Sequence, residues 1–270
     1  MPSSDIALPA AEEKVTAAVL TGKVRALAGA ELREDGVAAL GGLSSRAEVL
    51  AAARFLMGTI HAHRDSGPDG LTVLRDMGEI ARRATFGGLG RAALAPHTDC
   101  TQAPDPPRLL LLACQLDGAA GGQSILVDGR ALLGELLLLR PEAIAPLTAP
   151  RAAYFGGADG RFTPVFQRRT DGRWKLRLRQ DALARFSPDV QPHLPFLREA
   201  LHRHTRTVRL CPGQALLVDN HRILHGRHAF TGKRLFLRAL GEPHPRLHLN
   251  AGFAPPPAHP SGRGKEQSHA

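Results

Sequence analysis

Aromatic residues are scarce in this 270-residue chain: Phe, Tyr and Trp make up 4% of it, with a single Trp and a single Tyr. Stacking platforms for single-stranded nucleic acid are therefore few. The three cysteines, Cys100, Cys114 and Cys211, form no Cys-x-x-Cys pair, which argues against both a disulfide framework and a cysteine-rich zinc site. No apolar run approaches the ~20 residues of a membrane-spanning helix. The best candidate, Ala131 to Leu139, is short and carries Glu135. The first fifteen residues hold Asp5, Glu12 and Glu13 but no early basic cluster and no long apolar stretch, so no secretory signal is expected and the compartment reads as cytoplasmic.

The formal charge of +10 invites a nucleic-acid reading, so its distribution matters more than its size. Thirty Arg stand beside five Lys and two Asn, the skew of a GC-rich coding sequence, and the Arg are spread along the chain. Only Arg173, Lys175, Arg177 and Arg179 form a dense stripe, and they alternate with Trp174, Leu176 and Leu178 as the solvated face of a half-buried strand does. No specific nucleic-acid binding is expected.

With 43% hydrophobic residues the chain can bury a real core. Residues 11 to about 60 read mainly as helix, and Ser45 and Glu48 have capping-box spacing ahead of Leu50, Ala53, Met57 and Ile60 at helical intervals. From residue 108 short apolar runs between Gly-containing turns read as buried strands: Arg108 to Leu116, Gln123 to Val127, Arg151 to Phe155, Arg161 to Gln167, Arg173 to Gln180, Thr207 to Leu210, Ala215 to Asp219 and Arg234 to Leu240. A helical insert is expected from the N-cap Asp128 to about Leu147, broken or restarted at Pro141, and another helix from Pro192 to Arg206. Many short strands preceded by helices predict a mainly β fold, a jelly roll with helical decoration, rather than a parallel α/β sheet. No repeat and no Pro/Ser-rich linker divides the chain. One domain over residues 1–252 is expected, with a helical part at about 11–60, a core at about 72–242 and a mobile tail at 253–270 that has nothing to bury.

Of the thirteen His, His97 stands out because Asp99 follows two residues on, and in extended chain both side chains point to one face. A further imidazole, His225, follows the strand ending at Asp219. Two His and one carboxylate on one side of a metal leave positions open for a cosubstrate and oxygen, the donor set of a non-haem Fe(II) oxygenase. The ordered set of His-x-Asp at 97–99, Gly-Gly-x-Ser at 121–124, Asp-Asn-x-x-x-x-His at 219–225, then Arg234 and Arg238, resembles the Fe(II)/2-oxoglutarate-dependent dioxygenases of the taurine dioxygenase, γ-butyrobetaine hydroxylase and clavaminate synthase superfamily. The likeness runs from about His61 to Leu240 and is most specific in PHTD at 96–99, GGQSILVDGRAL at 121–132 and VDNHRILHGRHAFTG at 218–232.

That resemblance implies a double-stranded β-helix core and Fe(II), 2-oxoglutarate and O₂ as cofactor and cosubstrates. It implies iron ligation by His97, Asp99 and His225, with Asp rather than Gly or Ala at position 99 favouring hydroxylation over halogenation. Ser124 aligns with the residue that hydrogen-bonds 2-oxoglutarate. Arg234 aligns with the Arg that pairs with its distal carboxylate; because its spacing from His225 is shorter than in several relatives, Arg238 remains the alternative holder. On one strand Arg234, Phe236 and Arg238 share a face, the two Arg backbones roughly 13 Å apart, so the two cations can serve different anions. The implied substrate is a small molecule, amino-acid-like or anionic. Two other readings stand beside this one: a zinc hydrolase using His221 and His225, and a β-sandwich binding protein without turnover. His61-Ala62-His63, His202-Arg203-His204, His221 and His228 are expected at the surface. Asp219 and Asn220 are expected to hold their loop, Cys100 adjoins the site without an apparent base, and Tyr154 and Phe155 are expected in pocket wall or core.

Overall fold

A computed structural model describes residues 20–78, 88–118 and 120–255. In chain order it contains helix α1 (Gly22–Glu34), strand β1 (Val37–Leu43), helix α2 (Arg46–Leu56) and strands β2 (Met57–Ile60), β3 (Thr72–Arg75), β4 (Leu94–His97), β5 (Leu109–Gly118) and β6 (Ser124–Asp128). Helices α3 (Gly129–Leu139) and α4 (Ile144–Thr148) follow, then the short strands β7 (Ala153–Phe155), β8 (Arg161–Thr163), β9 (Phe166–Arg168), β10 (Trp174–Leu176) and β11 (Ala184–Phe186). Helix α5 (Leu194–Arg203) precedes β12 (Thr205–Val208), β13 (Gly213–Asp219), β14 (Ile223–Arg227) and β15 (Lys233–Pro243).

Two antiparallel sheets organise these elements. The larger runs β1-β13-β5-β15-β2, with β3 also paired to β15; the smaller runs β12-β6-β14-β4. Leu110, Cys114, Leu216, Val218, Phe236 and Leu240 of the larger sheet pack with Val208 and Ile223 of the smaller one, which defines the layer between them. The alternate residues Leu109, Leu111, Ala113, Ala215, Leu217, Leu237 and Ala239 face the other way, onto α1 and α2. Val127 and Leu224 on the far face of the smaller sheet pack under α3, α4 and α5. The period of two along each central strand thus feeds two separate cores.

Local chemistry sets the element ends. Ser45 Oγ accepts from Glu48 N–H at 3.2 Å while Glu48 Oε2 accepts from Ser45 N–H at 2.9 Å, a reciprocal cap that stabilises the start of α2 by about 1 kcal/mol. Asp128 caps α3 by accepting from Arg130 N–H at 2.8 Å, and Pro141 ends that helix as its position requires.

Several expectations need correction. The helix expected over 11–60 is interrupted by β1: Gly36 turns the chain at φ +75°, and Gly41 and Gly42 weaken a helix here, so Val37–Leu43 pairs with β13 instead. Residues 11–19 of that expected helix lie outside the described residues. The strand expected over Arg161 to Gln167 splits into β8 and β9 at Pro164, and that over Arg173 to Gln180 narrows to Trp174–Leu176. Its basic stripe is not a solvated face. Buried Arg177 donates to the carbonyls of Ala103 and Pro104, each at 2.8 Å, and Arg173 donates to Gly252 O at 2.8 Å. The segment after Gly252 does bury a side chain at its first residue, since Phe253 is packed in the outer core and exchanges backbone hydrogen bonds with Trp174. Residues 256–270 of the expected tail lie outside the described residues. No helix among the described residues is long and apolar enough to cross a membrane.

Candidate active site

Strand pairing brings the first two imidazoles together. His225 on β14 stands opposite His97 on β4, and their ring centroids are 4.5 Å apart. Gly226 permits that closeness, since a Cβ there would lie 2.5 Å from Leu94 O. Asp99, two residues beyond β4, turns its carboxylate to the same side, with Oδ1 3.9 Å from His97 Nε2 and Oδ2 3.8 Å from His225 Nε2. Thr98 between them points away, its hydroxyl accepting from Leu178 N–H at 3.2 Å. The three donor groups lie within 4.8 Å of one another. These separations are too long for hydrogen bonds and suit one ion bound at ~2.1 Å to each.

The protonation states fit a metal. A carbonyl only accepts, so the 2.9 Å contact from His97 Nδ1 to Ala95 O places a proton on Nδ1 and turns Nε2 towards Asp99. Burial, with His97 close by, drives His225 down to about 3, so its ring is neutral at physiological pH. Burial pushes the Asp99 carboxyl upward, but Arg238, donating from Nη1 at 3.3 and 3.2 Å to its two oxygens, together with the nearby rings of His225, His97 and His63 holds it well below the usual carboxylate range. One carboxylate and two imidazoles on one face match the open donor set of a non-haem iron site.

Arg238 also reaches His63, whose Nδ1 accepts from Nη2 at 3.3 Å. His63 was expected at the surface; it is half-buried and lines the same cavity, placed there by the short segment after β2. Burial and then Arg238 lower its pKa. Its partner in the sequence pattern, His61, lies 3.5 Å from Glu242 and off this cavity.

Arg234 and Arg238 line the same cavity from one face of β15, with Phe236 between them, as alternation along a strand dictates. Arg234 is buried, its guanidinium centred 3.6 Å from the Phe236 ring and 5.7 Å from that of Phe230, and its Nε has no hydrogen-bond partner among the described residues. Burial and then Arg227 lower it to about 10, which leaves it charged. Ser124, also buried, opens β6 opposite Arg227 and lines the cavity as well. Gly122, at φ +77°, comes close enough that a Cβ would meet the Arg234 side chain at 3.4 Å, so the Gly-Gly turn closes directly over that cation. The cavity has a volume of about 420 Å³ and holds all six residues singled out from the sequence: His97, Asp99, His225, Ser124, Arg234 and Arg238.

Other residues fall into supporting places. His221 was expected at the surface, yet it is buried, with Nε2 bound to Pro106 O at 2.9 Å and burial lowering it to about 4. That commitment removes it from the donor set a hydrolase would need. Arg108 donates to Asp219 Oδ2 at 3.0 Å in a buried pair beneath the site. Cys100 adopts φ +54° and lines the cavity; burial and then Asp99 raise its thiol to about 11, so it is no thiolate at neutral pH. Phe155 is core, and Tyr154 packs edge-on against Phe162. His202 and His228 are exposed, and His204 pairs with Glu135. Arg64, Asp65 and Asp181 also line the cavity and carry no pattern in the sequence; His63 and Arg179, which line it too, read in the sequence as part of a surface His-x-His pair and of a solvated basic stripe.

Comparison with known proteins bears on the fold and the family. The asparagine oxygenase structure in complex with Fe(II), 2S,3S-3-hydroxyasparagine and succinate superposes with a TM-score of 0.67 at 19% identity, covering 82% of this chain and 79% of that one. The non-heme iron oxygenase OrfP with Fe and alpha-ketoglutaric acid gives 0.66 at 16% identity over 88% and 86%. In sequence, mitochondrial trimethyllysine dioxygenase of Rattus norvegicus is 28% identical over 163 residues, 53% of this chain and 39% of that protein. Gamma-butyrobetaine dioxygenase of Pseudomonas sp. (strain AK-1) is 32% identical over 157 residues, 52% and 41%. The matched segment therefore spans about two fifths of the length of these relatives. Residues 9–240 match the family described as taurine catabolism dioxygenase TauD, TfdA family, and the chain belongs to that family.

Proposed function

We propose that this chain is an Fe(II)- and 2-oxoglutarate-dependent oxygenase that hydroxylates an unactivated C–H bond of a small amino-acid-like molecule, with release of succinate and carbon dioxide. The observation that carries the reading is the convergence of His97, Asp99 and His225 within 4.8 Å in a cavity that also contains the buried guanidinium of Arg234, whose Nε has no hydrogen-bond partner among the described residues. In this reading the two facing sheets are the double-stranded β-helix core, about residues 72–242, of a single cytoplasmic domain. His97, Asp99 and His225 hold the iron, which when bound supplies the activation of O₂ coupled to oxidative decarboxylation of 2-oxoglutarate.

The chain's own residues do the rest. Arg234, a planar fork of donors beneath the Gly-Gly turn, is suited to the distal carboxylate of 2-oxoglutarate, and the Ser124 hydroxyl lines the same cavity. Arg238 steadies the ionised Asp99 and presents the remaining cation of this wall to the substrate. The substrate end carries both signs: Arg64 and Arg179 beside Asp65, Asp159 and Asp181. Such a wall suits a zwitterion, and carboxylates favour a protonated amine with N–H donors over a quaternary ammonium, which aromatic faces hold best. Relatives named for trimethyllysine and γ-butyrobetaine, and structures holding hydroxyasparagine, place amino acids and their derivatives first in the panel to test. The experiment is succinate release from 2-oxoglutarate with Fe(II), screened over free amino acids and their N-trimethyl analogues. Stimulation by an amino acid is expected, and release unresponsive to the whole panel contradicts the substrate assignment.

A further inference from the structure

Asn220 belongs neither to the donor trio nor to the cavity lining, yet it is 1% exposed and its carboxamide is committed at both ends. Its Oδ1 accepts from Asp99 N–H at 2.7 Å, and its Nδ2 donates to the Asp99 carbonyl at 3.2 Å and to the Pro107 carbonyl at 2.8 Å. A carboxamide here pairs with both edges of the Asp99 residue as a neighbouring strand's backbone does, just past the end of β4. Its neighbours fasten the other end of the same excursion. Asn220 N–H donates to Arg108 O at 2.7 Å, Asp219 accepts from the Arg108 guanidinium, and the His221 ring meets Pro106 O. Three successive residues, 219–221, thus staple the segment from 99 to 108 at both ends.

Asp99 requires such a hold. It lies outside a strand, and Cys100 after it occupies the left-handed region at φ +54°, a conformation a cysteine adopts only under constraint. We propose that Asn220 is a positioning residue whose carboxamide fixes the Asp99 backbone, and through it the aim of the carboxylate at the two imidazoles, so that Asn220 sets metal affinity without touching the metal. The inference rests on the metal-centre reading above. Only a carboxamide offers donor and acceptor on one short planar group, so neither Ala nor Asp reproduces the full set.

The test is an anaerobic titration of the 270-residue chain with Co(II) alone, read by its visible d–d absorption. Asn220→Ala is expected to raise the Co(II) Kd ten- to a hundredfold, in line with the loss of a group that orients a ligand. Leu136→Ala, a truncation in the outer core under α3, is the control for general loosening and is expected to leave Kd within twofold. An unchanged Kd in Asn220→Ala, or an equal loss in Leu136→Ala, overturns the proposal. If Asn220→Ala does not fold, amide exchange of the wild-type protein resolved to Asp99 decides: slow exchange is expected, and exchange at the rate of an open loop overturns the proposal. Co(II) bound equally by wild type and Asp99→Ala overturns the metal-centre reading itself, and this proposal with it.

Discussion

Replacing Arg234 by Met is expected to move ligand binding and stability in opposite directions. The side chain is buried, stacked at 3.6 Å on Phe236, and its Nε has no partner among the described residues, so in the absence of cosubstrate the fold holds a charge compensated chiefly by aromatic faces. That compensation is about 1–2 kcal/mol, less than a buried charge loses in leaving water. Met keeps the stem volume and makes its own contacts with Phe230 and Phe236, so Arg234→Met is expected to leave the apo protein as stable as wild type, or more stable by about 1 kcal/mol. For 2-oxoglutarate the change removes a pair of charge-assisted hydrogen bonds, each about 1.5–3 kcal/mol. Even at the lower bound this is about 3 kcal/mol, or roughly a hundredfold in Kd. The assay is anaerobic titration of the Fe(II) protein with 2-oxoglutarate, read by the visible charge-transfer band, beside urea unfolding of the apo protein. A Kd within threefold of wild type means that Arg234 does not hold the cosubstrate carboxylate; an apo protein destabilised by several kcal/mol makes Arg234 a structural cation instead.

Three further outcomes follow from the same contacts. Arg238→Ala is expected to raise the KM for substrate more than that for 2-oxoglutarate, and a reversed pattern in steady-state kinetics exchanges the roles of the two arginines. His221 is lowered to about 4 from an ordinary value near 6.5, so the unfolded chain binds its proton first and stability falls as the pH drops from about 6.5 towards 4. The full loss is about 3 kcal/mol; His221→Gln, which keeps a donor for Pro106 O, is expected to remove it, as urea midpoints at pH 7 and 4.5 will show. Arg108→Met leaves the 2% exposed Asp219 without its cation and is expected to destabilise the protein by about 3–5 kcal/mol, whereas removal of an exposed pair such as Arg46 with Asp69 is expected to change it by under 1 kcal/mol.

The donor trio was legible because two short-range facts carry it. His97 and Asp99 are two apart in extended chain, and His225 follows a strand that had to return to the same sheet system. The face shared by Arg234, Phe236 and Arg238 was legible for the same reason, a period of two on a long strand. What the sequence hid depends on long-range partners. Val37–Leu43 is Ala- and Leu-rich enough to pass for helix, and only its pairing to β13, far along the chain, makes it a strand. Arg177 and Arg173 look like a solvated stripe until carbonyls of Ala103, Pro104 and Gly252 arrive from distant segments. The spacing of His63 and His221 does not tell where they go, since the place of one is defined by its contact with Arg238 and that of the other by Pro106. Asn220 was assigned to its loop, but its hold on Asp99 spans 121 residues and leaves no local trace.

Whether a single Fe(II) is held by His97, Asp99 and His225 and used with 2-oxoglutarate is decided by anaerobic addition of Fe(II) and then 2-oxoglutarate to the apo protein. One equivalent of Fe(II) per chain, a visible charge-transfer band on adding 2-oxoglutarate, and succinate on admitting oxygen are expected for wild type, with the band absent from the Asp99→Ala and His225→Ala variants. A band of full intensity in either variant, or a wild-type protein that binds iron and 2-oxoglutarate without producing succinate in oxygen, contradicts that assignment.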